Sequence, residues 1–167
     1  MENRTVILQH EQISQKIHRI AHEIYENNFE AEKIYVIGIH HQGYVLAERL
    51  AAILKTISPI RIELGNLKMN KDNPLSESIN CSIHPKEFDN QTIVLVDDVL
   101  NSGKTLIYAA QYILQAPVKK MNTVCLVDRR HRRFPIRADY VGLTLSTTLQ
   151  EHIEVEFKPD NDTVYLI

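Results

Sequence analysis

Apolar positions along the chain repeat with two different periods. Between residues 11 and 28, Ile13, Ile17, Ile20 and Ile24 recur at every third or fourth position with polar residues between them. That spacing predicts a helix with one buried stripe. The run 34–39 (IYVIGI) has no such gaps, and neither does 93–96 (IVLV), the most apolar stretch of all. Short, β-branched and uninterrupted, both runs predict strands buried on two faces. Helices are predicted over 44–54 (YVLAERLAAIL) and 103–115 (GKTLIYAAQYILQ), the second stopped by Pro117. Further strands are expected at 60–64 and 123–127, with weaker signals at 139–143, 153–157 and 163–167. Residues 65–90 carry Gly, Asn, Asp, Pro and Ser with little periodicity. They are expected to form a flexible excursion with a short hairpin.

Strands that alternate with helices predict an α/β domain: a mostly parallel, twisted sheet flanked by helices. The 167 residues suit one such domain spanning 1–167. Ligands of these sheets sit beyond the carboxyl ends of the strands. That rule selects the loops 40–43, 97–105 and 128–137.

Composition narrows the class. With 44% hydrophobic and 24% charged residues the chain is an ordinary globular sequence. Its net charge of −2 means that affinity for nucleic acid must come from a local patch. Cys81 and Cys125 make neither a metal-ligand spacing nor a disulfide framework, and both are expected to be reduced. No stretch approaches the ~20 apolar residues of a membrane span, and no signal-peptide core follows the first residues. A cytoplasmic protein with no membrane partner is expected.

The chemistry concentrates in 93–105, IVLVDDVLNSGKT. A buried strand runs into two acids, then a small-residue turn, then a helix. The turn aims backbone N–H groups at one point at a helix N-terminus, which is an anion site. Gly103 permits close approach, Ser102 and Thr105 add hydroxyl donors, and Lys104 adds charge. Asp97 and Asp98 suit a sugar instead: they can accept from vicinal hydroxyls, or hold them through magnesium and its waters. Phosphate plus diol describes ribose 5-phosphate. Two other readings compete. A Walker A loop needs glycine five residues before Gly103, where Asp98 stands. A plain strand–turn–helix would leave adjacent like charges at a desolvated edge, which costs stability unless a ligand relieves it.

This segment is similar to the phosphoribosyl pyrophosphate (PRPP) signature of the type I phosphoribosyltransferases. The stretch 126–142, LVDRRHRRFPIRADYVG, resembles the PyrR family, the pyrimidine-operon attenuation regulators with uracil phosphoribosyltransferase activity. Ile20-Ala21-His22-Glu23 and the spacing of Gly38 and Gly43 also fit. The resemblance covers most of 4–145 and is poor at 65–90 and after 145.

The resemblance implies that PRPP is held by Asp97, Asp98, Asn101, Ser102, Gly103, Lys104 and Thr105. Asp97 and Asp98 would serve catalysis, with Mg2+ as cofactor. It implies a pyrophosphate loop at His40, His41, Gln42 and Gly43. The family pattern is basic at the positions of His40 and Gln42, so this chain departs from it; a polar loop lip is the competing reading of the histidines. Tyr140 and Val141 match positions that cover the base, against the alternative that Tyr140 is a core aromatic. Asn101 stands where hypoxanthine–guanine enzymes carry Asp, which weakens a purine reading. Residues 65–90 correspond to a flexible catalytic hood, to which Arg61, Lys68 and Lys71 are candidate diphosphate contacts.

The arginines at 129, 130, 132, 133 and 137 are either a solvated loop or a phosphate-contacting surface. The resemblance implies binding of an RNA hairpin by a homodimer, with Arg19, His22 and Arg137 on the RNA face. Three functions follow in order: a uracil phosphoribosyltransferase, an RNA-binding attenuator with little catalysis, and a purine phosphoribosyltransferase.

Overall fold

The computed structural model describes residues 3–167. The two uninterrupted apolar runs become neighbouring parallel strands, β2 (Lys33–Ile39) and β5 (Thr92–Leu100), paired from Ile34 with Thr92 to Gly38 with Val96. Outside β2 lie β3 (Arg61–Lys68) and the short β4 (Asn80–Cys81). Outside β5 lie β6 (Lys120–Asp128) and β7 (Tyr140–Thr144). The six-stranded order is β4-β3-β2-β5-β6-β7, parallel except for β4.

Both faces of this sheet are covered. Ile34, Val36, Val94, Val96, Val124 and Leu126 pack in the core under α1 (His10–Asn28) and α2 (Gln42–Ile57). Tyr35, Ile37, Ile39, Ile93, Leu95 and Cys125 pack in a second core under α3 (Lys104–Ile113). Successive strand residues point to opposite faces, so two covered faces require the gapless apolar runs. Ile13, Ile17, Ile20 and Ile24 of α1 are at most 2% exposed. Each contributes roughly 1.5–3 kcal/mol on burial.

Within the six-stranded sheet the structure extends the sequence reading in two places. β5 does not end before the acids: it runs through Asp97 and Asp98 to Leu100, paired with β6 up to Asp128. Of the excursion 65–90, the first four residues complete β3. The rest contains β4 and a 3₁₀ turn, Pro85–Phe88, whose Phe88 packs edge-on against Tyr35.

A second sheet was not foreseen. β1 (Thr5–Gln9), β8 (Ile153–Glu156) and β9 (Thr163–Leu166) form an antiparallel sheet in the order β1-β9-β8. β1 abuts α1 without a turn residue, and its partner lies at the other end of the chain, so no local signal marks it. This sheet is fastened to α2 by Asp162, which is buried. Asp162 accepts from both Nη atoms of Arg49, from the Lys158 N–H at 3.0 Å, and lies 3.0 Å from His10 Nδ1. Burial pushes the Asp162 carboxyl up, but Arg49, Lys158 and His10 together hold it below the usual range. The Arg49 guanidinium also covers the Phe157 ring at 4.6 Å.

Arg49→Met leaves that buried carboxylate without its fork. It is expected to destabilise the protein by ~3 kcal/mol in urea unfolding. A midpoint equal to wild type would show that the three-stranded sheet is held by other means.

Candidate functional site

The chain reverses its direction of progress across the sheet between β2 and β5. β2 leads into α2 on one face, and β5 leads into α3 on the other. The two loops part at their carboxyl ends and leave a crevice, the usual ligand position in such a sheet. Residues 40–43 form one lip, and 97–105 form the other. The lips touch: a Cβ on Gly43 would meet the Cα and Oδ1 of Asp97, each at 3.0 Å. Only glycine lets the start of α2 lie so close to the acids.

Asp97 is 4% exposed, while Asp98 is half-buried. Asp97 Oδ1 accepts from the Asp98 N–H at 3.0 Å and lies 3.2 Å from Lys71 Nζ. Lys71 Nζ is 4.0 Å from Asp98. Burial, then the charge of Asp98, push the Asp97 carboxyl up to about 8 against the pull of Lys71. Two adjacent carboxylates, one of them poorly solvated, are a suitable donor set for a hard divalent cation. No cluster of three or more His, Cys, Asp or Glu occurs among the described residues. A cation here would therefore complete its shell with water and ligand oxygens.

The turn 101–105 forms the expected anion corner. Gly103 has φ +86° and caps α3, and a Cβ there would strike Ile136 Cγ2 at 2.8 Å. The Ser102 carbonyl accepts from the N–H groups of Arg133 and Phe134, and Ser102 Oγ accepts from the Lys104 N–H at 3.3 Å. These bonds fix the turn from behind. A cavity of about 40 Å³ lies within Asp97, 99–106 and Cys125, room for a few waters or one phosphate group. Lys104 Nζ donates to the Asp72 carbonyl at 2.6 Å, so residues 71 and 72 lie over the corner.

The other lip is held by backbone and ring contacts. The His40 N–H donates to Leu67 O at 2.9 Å, and the His40 and His41 rings lie 3.8 Å apart. Burial, then His41 and Lys68, hold the His40 imidazole below its usual range. His40 Nδ1 is 3.3 Å from Asn66 Nδ2, and the buried Asn66 Oδ1 has no partner among the described residues. A half-turn of that amide would let Oδ1 accept from a protonated His40.

Other expected residues lie elsewhere. Tyr140 is 7% exposed and packs in the core with α1, so its ring is covered by core side chains and offers no face to a base. Val141 lies on the opposite face, against the α3 core. Arg19 donates to the Val141 and Gly142 carbonyls, each at 3.0 Å, and pairs with Glu23; it staples α1 to β7. His22 bonds the His18 carbonyl of its own helix and is exposed, as is Arg137. Arg132 pairs with Asp128, and Arg129 turns inward. Arg61 begins β3, at the end of the sheet away from the crevice. Of the three candidate diphosphate contacts, Lys71 is the one that reaches the acids.

A mostly parallel sheet with a strand–turn–helix corner at its switch point, and two adjacent acids beside it, is the arrangement of the type I phosphoribosyltransferase fold. Residues 3–161 match the phosphoribosyl transferase domain family. The bifunctional protein PyrR of Clostridium novyi is 34% identical in an alignment that covers 93% of this chain and 91% of that protein. PyrR of Deinococcus deserti is 39% identical, over 92% of this chain and 87% of that one. The hypoxanthine phosphoribosyltransferase structure of Trypanosoma cruzi superposes with a TM-score of 0.79 at 15% identity, covering 96% of this chain and 95% of the other. This chain belongs to the phosphoribosyltransferases and, within them, to the PyrR family.

A carboxyl raised in the folded state stabilises the fold below its unfolded pKa, and that contribution is lost as pH rises through the folded value. Asp97→Asn should therefore melt like wild type only below about pH 4 and more than about 5 °C higher at pH 9, while PRPP affinity falls. A constant difference across pH would remove the buried charge as its cause. On the opposite lip, His40→Lys with Gln42→Arg should tighten PRPP binding about tenfold at neutral pH. The advantage over wild type should grow from acid to neutral pH, as the His40 charge is lost, and level off above that. Equal isotherms at each pH would separate 40–43 from the diphosphate.

Proposed function

We propose that this protein is a Mg2+-dependent uracil phosphoribosyltransferase. Uracil N1 forms a bond to C1 of the ribose as the C1–oxygen bond to diphosphate breaks; the diphosphate takes the bonding electrons, and the N1 proton passes to solvent. The observation that carries this reading is Asp97, a buried acid beside Asp98 that lines one cavity with the turn 101–105. In this reading residues 101–105 hold the 5-phosphate, Asp97 and Asp98 hold the vicinal hydroxyls, and 40–43 faces the diphosphate. Magnesium would neutralise the leaving group. Positioning and charge stabilisation do the rest, so no side-chain nucleophile is required.

Asn101 supports a pyrimidine base, because an amide cannot serve as the base that purine enzymes of this fold place there. Entry of the sugar displaces Lys71 from Asp97 and brings its charge beside the polyphosphate. The remainder of the excursion then acts as a hood that excludes water from the oxocarbenium centre. The protein acts in the cytoplasm as a homodimer in this reading.

The absence of Lys or Arg from the 40–43 lip favours a second reading, an RNA-hairpin attenuator with weak catalysis. Arg130, Arg133 and Arg137 are exposed for such a role. The deciding experiment incubates the protein with PRPP, Mg2+ and each of uracil, hypoxanthine, guanine and adenine. UMP as the sole product is expected. A purine nucleotide would refute the uracil assignment, and no product with salt-sensitive hairpin binding would favour the attenuator.

A further inference from the structure

Arg129 belongs by sequence to a basic loop, yet it is 6% exposed. Its N–H donates to Leu100 O at 3.0 Å, directly behind the phosphate corner. Its guanidinium reaches two separate segments. Nη1 donates to Asn101 Oδ1 at 2.8 Å within the corner. Nε donates to Thr147 Oγ1 at 3.0 Å, and Nη2 to the carbonyls of Thr148, at 3.2 Å, and Glu151, all in the segment that follows β7. His131 adds a contact to the Thr147 carbonyl at 2.6 Å. The Glu151 carboxylate instead accepts from the Thr148 N–H. The side-chain hydrogen bonds of Arg129 thus end on neutral oxygens.

Burying a cation among neutral acceptors is a poor route to stability, because lost hydration holds the guanidinium below its usual range and the Glu151 charge nearby, with no direct ion pair, only partly offsets it. A planar fork that fits two segments at once does fix their relative position, and the point charge of lysine cannot reproduce it. The segment after β7 leaves the same, carboxyl, end of the sheet, and Arg129 is what joins it to the corner.

We propose that Arg129 is a positioning residue that locks the phosphate corner to residues 147–151, so that filling the corner orders the wall next to it. This deepens the phosphoribosyltransferase reading, on which the identity of the ligand rests. Occupation of the corner holds Asn101, Asn101 holds the guanidinium, and the guanidinium holds Thr147 and the two carbonyls.

Amide hydrogen exchange, with ribose 5-phosphate as the probe, tests this. In wild type, ligand should slow exchange in both 101–106 and 147–151. In Arg129→Lys, protection should remain at 101–106 and disappear at 147–151, while KM for PRPP rises about 10- to 100-fold. Thr147→Val makes no change in the corner itself, yet it should weaken transmission in the same direction. It carries the test if Arg129→Lys fails to fold. Protection of both segments in the variants as in wild type overturns the proposal. If ribose 5-phosphate protects neither segment of wild type, the ligand reading falls. The lock then stands if Arg129→Lys speeds basal exchange in both segments together, and is overturned if it does not.

Discussion

The arrangement of the crevice turns on one buried carboxylate. Asp97 sits inside the sheet, beside a second acid and against a glycine of the opposite lip. Such a group is unfavourable in isolation, because burial and the neighbouring charge both oppose ionisation. Its partners are arranged around that difficulty. Lys71 approaches from the loop above, the Asp98 amide donates from the same strand, and the corner behind it is fixed by bonds from 133 and 134. Local stability is spent here on a group whose usefulness appears only when something binds to it.

The sheet topology explains why that group stands where it does. Between β2 and β5 the chain departs to opposite faces, so two helix N-termini and two loops open on one crevice. The continuous apolar runs that cover both faces make the strands rigid, and a rigid pair of strands fixes the distance between the lips. Gly43 sets the closeness on one side, and Gly103 sets the turn on the other.

Much of this was readable from the sequence. Strands β2 and β5 and helix α1 showed themselves because burial on two faces, or on one stripe, leaves a local pattern. The 93–105 corner was legible for the same reason: acids, turn and helix are contiguous. What could not be read depends on distant partners. β1 pairs with β9, and nothing near Thr5 says so. Arg19 and Arg129 look like surface cations until Val141, Asn101 and Thr147 arrive to accept their hydrogen bonds. For Arg129 the one available hint was its place directly after a buried strand. Tyr140 resembled a base-stacking aromatic, but the helix that covers it lies more than a hundred residues away in sequence. Lys71 was one of three candidate diphosphate contacts, but its segment has no periodicity, so nothing local singled it out or aimed it at Asp97.

The bond between Lys71 and Asp97 makes the ligand-free protein a competitor for its own oxygens. Any molecule that needs those oxygens meets a population in which only a fraction has them available. Its apparent dissociation constant is then the intrinsic one divided by that fraction. Affinity at this crevice is therefore tunable from the excursion alone, by changes that lengthen or loosen the reach of one side chain and leave the sheet, the corner and the acids untouched.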